Sequence, residues 1–230
     1  MEAKRYQGKS LLYLTIHPDG YNPELDYPMV VLLHGFGANM QDLAGLSPAI
    51  GREGYIYACP NAPLPFRFEF GTGYGWTPPR GTGTQEDAKR AVELLETFFD
   101  EVVEQYHVKP GQIILIGFSQ GGGMTYRCGL GKPETFAGLV ALSSTMPDSD
   151  ELRSRLPSQR TQPIFIAHGV YDELAPVERA RQARAFLEEE GYKPQYKEYP
   201  MRHEISQEVL DDLVPWMKGV LPPAGSSPLQ

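Results

Sequence analysis

Apolar positions along the chain fall into two rhythms. Short continuous runs, Met29–Leu33, Tyr55–Ala58, Ile113–Ile116, Leu139–Leu142 and Pro163–Ala167, have the composition of strands buried on both faces. Leu11–Ile16 reads as a further strand, and Gln195–Tyr199 alternates as one with a half-buried face. Between these runs the spacing is helical. Glu86–Tyr106 places Ala88, Ala91, Leu95, Phe98 and Val102 on one stripe, with acids and lysines opposite. Pro176–Glu190 and Ser206–Lys218 read as helices, as does Met124–Leu130, and Ser47–Arg52 as a short one. Pro60–Thr84, rich in Pro, Gly and aromatics, reads as a long irregular stretch. Strands alternating with helices predict an α/β fold with a mainly parallel central sheet flanked by helices. Leu11–Ile16 and Met29–Leu33 are joined by a turn-rich segment without a helix, so that edge is expected to be antiparallel. Residues 1–221 read as a single domain, and the Pro-, Gly- and Ser-rich end at 222–230 as a disordered tail.

Composition narrows the function classes. The chain has 230 residues, 41 % hydrophobic and 22 % charged, enough for one domain with a substantial core. Its net charge of -8, without a Lys/Arg cluster, speaks against nucleic acid and anionic membrane as partners. No apolar run is long enough to span a bilayer, and the first residues lack the apolar segment of a signal peptide, so stable membrane insertion is not expected and a cytoplasmic location is. Cys59 and Cys128 are expected to be buried free thiols. No metal-ligand spacing is present, and no metal or other cofactor is expected.

The candidate chemistry centres on Gln112–Gly123, QIILIGFSQGGG. A buried strand runs into Gly117-Phe118-Ser119-Gln120-Gly121 and then into a helix, the context in which G-x-S-x-G becomes a nucleophile elbow. A serine on so sharp a turn is strained and its hydroxyl stands clear of the sheet. Gly117 and Gly121 leave room where the strand and helix backbones meet, and Gly122 and Gly123 extend that opening.

A serine hydroxyl needs a base, and the base needs a third group to fix its tautomer. In folds with such an elbow the chain order is Ser, then Asp or Glu, then His. His17, His34 and His107 precede Ser119, and His168 precedes the best acid. His203 remains, on the loop after the last strand. Asp172 follows the Pro163–Ala167 strand at its carboxyl end, where functional groups of open α/β sheets collect. Glu173 is its nearest competitor, with Asp148 and Asp150 behind it, while Asp211 and Asp212 break the order. An oxyanion hole is expected from the N–H groups of Gln120 and Phe36, the latter in His34-Gly35-Phe36-Gly37. His34 itself is assigned a packing and hydrogen-bonding role.

Five blocks, Leu33–Gly37 (LHGFG), Cys59–Pro63 (CPNAP), Gly117–Gly122 (GFSQGG), His168–Asp172 (HGVYD) and His203–Ile205 (HEI), resemble in this order the phospholipase/carboxylesterase family of α/β-hydrolases. That family contains bacterial carboxylesterases and acyl-protein thioesterases. The likeness runs from about Met29 to Leu221. It implies an α/β-hydrolase fold with a minimal cap, and Ser119, Asp172 and His203 as a triad with Phe36 and Gln120 as oxyanion donors. Ala38 stands where the family commonly has an acid, and Arg202 where it often has glycine.

In Phe66-Arg67-Phe68-Glu69-Phe70, rings alternate with charges in a strand-like way. These rings and Trp76 are read either as a surface ribbon packed on the core or as the wall of a substrate pocket. Ser143–Gln162 is too short for a large lid. The expected function is therefore a serine carboxylesterase for short- to medium-chain esters, acting on a small-molecule substrate as a monomer or homodimer. The alternatives are an acyl-protein thioesterase or lysophospholipase using the same triad, a peptidase, and a non-catalytic ligand-binding module.

Overall fold

The computed structural model describes residues 1–69, 71–79 and 81–226. The chain begins with strands β1 (Glu2–Gln7), β2 (Leu12–His17) and β3 (Met29–Leu33), followed by short helices α1 (Met40–Ala44) and α2 (Ser47–Ile50). Next come β4 (Ile56–Pro60), a hairpin of β5 (Leu64–Phe68) and β6 (Gly71–Gly75), and the long helix α3 (Gln85–Tyr106). Strands β7 (Ile113–Phe118), β8 (Phe136–Leu142), β9 (Ile164–Gly169) and β10 (Gln195–Tyr199) then alternate with helices α4 (Gln120–Gly129), α5 (Ser149–Arg153) and α6 (Glu178–Glu189), and α7 (Gln207–Val220) closes the domain. The main sheet has the order β1-β2-β4-β3-β7-β8-β9-β10. From β4 to β10 every pairing is parallel, whereas β1 with β2 and β2 with β4 are antiparallel. Among the described residues no helix is long and apolar enough to cross a membrane.

The continuous apolar strands are buried on both faces because helices cover both. Met29, Val31, Leu33, Ile113 and Leu115 pack toward α3, α4 and α6. Val30, Leu32, Ile114 and Ile116 pack toward α1, α2 and α7. Helix α3 starts at a reciprocal cap: Asp87 N–H donates to Thr84 Oγ1, and Thr84 N–H donates to the Asp87 carboxylate. It ends at His107 in the left-handed conformation.

Three expectations change. The antiparallel edge exists, but β2 pairs with β4 rather than with β3, and β1 lies outside it. The first strand escapes a pattern reading because Glu2–Gln7 is polar and mostly exposed, a charged edge held by its ladder to β2. The stretch 60–84 is not irregular throughout, since Leu64–Phe68 and Gly71–Gly75 form an antiparallel hairpin. Helix α4 begins at Gln120, four residues before Met124, so Gly121, Gly122 and Gly123 form its first turn rather than an open extension. Glycine is a poor helix former. Packing overrides that preference here, because a Cβ on Gly121 would lie 2.1 Å from the Leu33 carbonyl oxygen and one on Gly117 2.2 Å from the Gly121 carbonyl oxygen.

Residues 222–226, placed in the tail by composition, form a turn on the domain. Ala224 N–H donates to Gly54 O at 2.8 Å and Ser226 N–H to Pro223 O at 3.2 Å. The rest of the expected tail, 227–230, lies outside the described residues.

Candidate active site

Ser119 sits between β7 and α4 with φ 53° and ψ -117°, a conformation that L-residues other than glycine rarely adopt. Its N–H donates to Leu142 O (2.9 Å), and its carbonyl accepts from Gly122 N–H (3.1 Å) and Gly123 N–H (3.3 Å). The elbow is thereby tied to β8 on one side and to the start of α4 on the other, and those bonds hold the strained residue in place.

The loops after β9 and β10 bring two side chains to it. Asp172 is buried, 6 % exposed. Its Oδ1 accepts from the N–H groups of Leu174 (2.9 Å) and Ala175 (2.8 Å). Its Oδ2 is 2.7 Å from His203 Nδ1. With Nδ1–H donated to that carboxylate, His203 Nε2 is left as an acceptor, and Ser119 Oγ lies 2.9 Å away. The Phe118 ring packs 4.9 Å from the imidazole. This arrangement can withdraw the hydroxyl proton, stabilise the imidazolium that forms, and return a proton to a leaving group.

Among the described residues none of the competing groups bonds to Ser119 Oγ. Glu173 is exposed. Asp148 caps α5 through the N–H groups of Asp150 and Glu151, and Asp150 pairs with Arg153. Asp211 accepts from Gln207, and Asp212 from Tyr199 and Lys197. His168 is fully buried behind the acid, with Nε2–H donated to Ala175 O at 2.6 Å and the same nitrogen 3.4 Å from Asp172 Oδ2.

His34 is likewise internal. Its Nδ1–H donates to Gly35 O (2.8 Å), and its Nε2 accepts from Ala62 N–H (3.0 Å). Burial lowers its pKa to about 4, so the ring is neutral at physiological pH. Because a trans peptide points its C=O and N–H in opposite directions, fixing Gly35 O also fixes Phe36 N–H. Gly35 lies against the elbow, where a Cβ would sit 3.2 Å from Ser119 Cβ. Neither Phe36 N–H nor Gln120 N–H has an acceptor among the described residues, which leaves both able to receive a developing oxyanion.

A model of the phospholipase/carboxylesterase family matches residues 23–220. The chain belongs to that family. Acyl-protein thioesterase 1 of Emericella nidulans is 27 % identical over 215 residues, covering 84 % of this chain and 90 % of that one. A probable carboxylesterase of Oryza sativa subsp. japonica is 32 % identical over 148 residues, 62 % of this chain but only 55 % of the relative. Among solved structures, esterase PE8 matches with a TM-score of 0.77 at 26 % identity, over 90 % of this chain and 97 % of that one. The Bacillus cereus carboxylesterase shares the fold, with a TM-score of 0.74 at 17 % identity over 93 % and 96 % of the two chains. As a phospholipase/carboxylesterase family member the chain is a hydrolase with an α/β-hydrolase fold.

In this family member the hairpin β5–β6 lies beside the loop that carries Phe36. The rings of Phe66 and Phe68 are 4.8 and 6.4 Å from that of Phe36. Phe36 and Phe68 are 37 % and 47 % exposed, so they offer an accessible apolar surface next to the elbow. Trp76 differs from the two phenylalanines. It is 1 % exposed, and its indole N–H donates to His34 O at 2.8 Å, which makes it a core residue under the loop. Phe70 lies outside the described residues. Pattern reading missed Ser143, whose hydroxyl reaches Glu204 O at 3.4 Å behind His203. It also missed the Gln120 side chain, which bonds to Trp76 and Thr77. Neither set of side-chain contacts carries a signal in the sequence, because each spans a long chain separation.

Proposed function

We propose that the chain is a serine carboxylesterase that hydrolyses short- to medium-chain esters through an acyl-enzyme on Ser119. Ser119 Oγ attacks the ester carbonyl carbon as His203 Nε2 takes its proton, and Asp172 holds the imidazole in the required tautomer. The N–H groups of Phe36 and Gln120 receive the oxyanion of the tetrahedral intermediate. Collapse breaks the C–O bond to the alcohol, which leaves with the proton from His203. Water then attacks the acyl-enzyme with His203 as base, and the carboxylic acid departs. The observation that carries this reading is the unbroken Asp172–His203–Ser119 hydrogen-bonded line, at 2.7 and 2.9 Å, on a strained elbow. A cytoplasmic setting is part of the proposal, and the buried free thiols of Cys59 and Cys128 fit a reducing compartment.

The acyl-length assignment rests on the rings of Phe66 and Phe68 standing against Phe36, where a long aliphatic lining would otherwise be needed. Each buried methylene contributes about 0.8 kcal/mol, roughly fourfold in kcat/KM, to an enzyme with a long apolar channel. A series of p-nitrophenyl esters from acetyl to palmitoyl, run beside a long-chain thioester, tests this. The expected maximum lies at short to medium acyl groups. A steady rise to palmitoyl would favour the second reading, a thioesterase, which draws support from relatives named acyl-protein thioesterase that span most of the chain.

A further inference from the structure

The two proposed oxyanion donors stand on different loops. Phe36 follows β3 and Gln120 follows β7. These strands are paired neighbours with Leu33 opposite Gly117, but the ladder stops there. Both N–H groups lie beyond it, so sheet hydrogen bonds do not fix their separation. Something outside the sheet must hold both loops to a tolerance of a few tenths of an ångström if two N–H groups are to converge on one oxygen.

One short segment touches both. Gly37 N–H donates to Tyr74 O and Tyr74 N–H donates to Ala38 O, each at 2.8 Å, so β6 forms a bridge with the chain immediately after Phe36. Two residues on, the Trp76 indole N–H donates to His34 O at 2.8 Å, gripping the same loop from its other end. The backbone N–H of Trp76 donates to Gln120 Oε1 at 2.7 Å. Gln120 Nε2 then donates to Thr77 O at 3.0 Å and to Thr77 Oγ1 at 2.8 Å. Both ends of the amide are therefore engaged, and they need an acceptor and a donor in that order. Glutamate has no donor for Thr77, and leucine has neither group. The contact with the oxyanion loop is also close-fitting, since a Cβ on Gly73 would lie 2.0 Å from the Gly37 carbonyl oxygen.

We propose that the Gln120 side chain and the Tyr74–Thr77 segment form a brace that sets the two oxyanion N–H groups at their working separation. The Gln120 side chain is then a positioning residue for the reaction, distinct from its own backbone N–H, which every substitution retains. The brace rests on the reading of Ser119 as nucleophile and of Phe36 and Gln120 as donors. It also makes the aromatic hairpin and the oxyanion loop one mechanical unit, so a disturbance of the hairpin is read in the transition state rather than in ground-state binding.

The test is Gln120→Leu and Gln120→Glu, assayed with p-nitrophenyl butyrate beside Ser119→Ala. Loss of a whole oxyanion donor costs about 10²–10³ in kcat, and a displaced donor should cost less. The expected result for Gln120→Leu is a fall in kcat of about 10–100-fold with KM within about twofold of wild type. Affinity for a trifluoromethyl ketone, which forms a tetrahedral oxyanion on the serine, should weaken in parallel, and the midpoint of the kcat/KM pH profile should stay put because the Asp172–His203 relay is untouched. Gln120→Glu should fall between the two. Should Gln120→Leu fail to fold, Thr77→Ala and Trp76→Phe each remove one bond of the brace and should lower kcat several-fold in the same pattern. A kcat within about threefold of wild type in the folded variants, whatever their melting temperatures, would overturn the brace. Full activity in Ser119→Ala would instead overturn the underlying mechanism and leave the brace without a role.

Discussion

In the proposed mechanism the working groups on the His203 side of Ser119 are side chains, and those on the Phe36 side are backbone N–H groups. The two sides are stabilised differently. Asp172 and His203 sit on short loops at the ends of β9 and β10; local bonds from Leu174 and Ala175 N–H fix the carboxylate, and the carboxylate in turn fixes the imidazole. The loop proposed to supply the Phe36 N–H depends on partners in other segments: Ala62 for the His34 ring, and Tyr74 and Trp76 for the loop itself. A side chain can be recognised by its chemistry and its order in the chain. A backbone N–H has the same chemistry at every residue, so its usefulness depends wholly on what holds it.

Breaking the side-chain half should have the largest effect. Asp172→Asn should lower kcat by roughly 10⁴ with KM near wild type, since the amide favours the wrong imidazole tautomer. Glu173→Gln should change little, because Glu173 is exposed. Reversal of those two results in steady-state assays would move the orienting role to Glu173. The backbone half is tested by Gly73→Ala. Its methyl cannot be accommodated 2.0 Å from the Gly37 carbonyl oxygen, so the hairpin must move off the loop. A fall of about 10² in kcat is expected, with the pH profile intact, and wild-type turnover in a folded Gly73→Ala protein would show that the loop holds itself. Milder still are Phe66→Ala and Phe68→Ala, which should shift the preferred acyl length upward by a few carbons. Unchanged chain-length profiles with a lowered Tm would make the rings packing residues only.

The smallest effect is on stability. His34 titrates near 4 in the folded chain because of burial, against about 6.5 when unfolded. The unfolded state therefore binds more protons between those values, and stability falls as pH drops through that window. From pH 6.5 to 5 the loss from His34 is about 1.5 kcal/mol. His17, also lowered by burial and further by Lys4, acts in the same direction. Urea unfolding of wild type and His34→Gln across this range should show a shallower decline in the variant. Equal slopes would mean that the His34 ring is solvated in the folded protein.

This asymmetry also explains what could be read from the sequence. The parallel strands were legible because burial on both faces forces runs such as Met29–Leu33 and Ile113–Ile116. Ser119, Asp172 and His203 were picked out by residue chemistry and chain order, and the structure brings them within hydrogen-bond distance. Strand β1 was not, because its stability comes from pairing with β2 rather than from apolar content. The neighbours of β2 were misassigned because a chain reversal at 18–28 does not say which strand fills the gap. The true start of α4 was hidden because three glycines suit a turn in isolation and a helix only where Leu33 and Ser144 crowd them. The Gln120 brace was invisible for the same reason that makes it useful. It joins residues more than forty positions apart.

The most direct measurement of the proposed mechanism is mass spectrometry of the protein after reaction with a serine-directed organophosphate, with hydrolysis of p-nitrophenyl butyrate followed in the same samples. Wild type should lose activity in step with one adduct, on Ser119. Ser119→Ala should keep its fold, take up no adduct and turn over about 10⁶ more slowly. Stoichiometric labelling at another residue, or ester hydrolysis retained by Ser119→Ala, would contradict it.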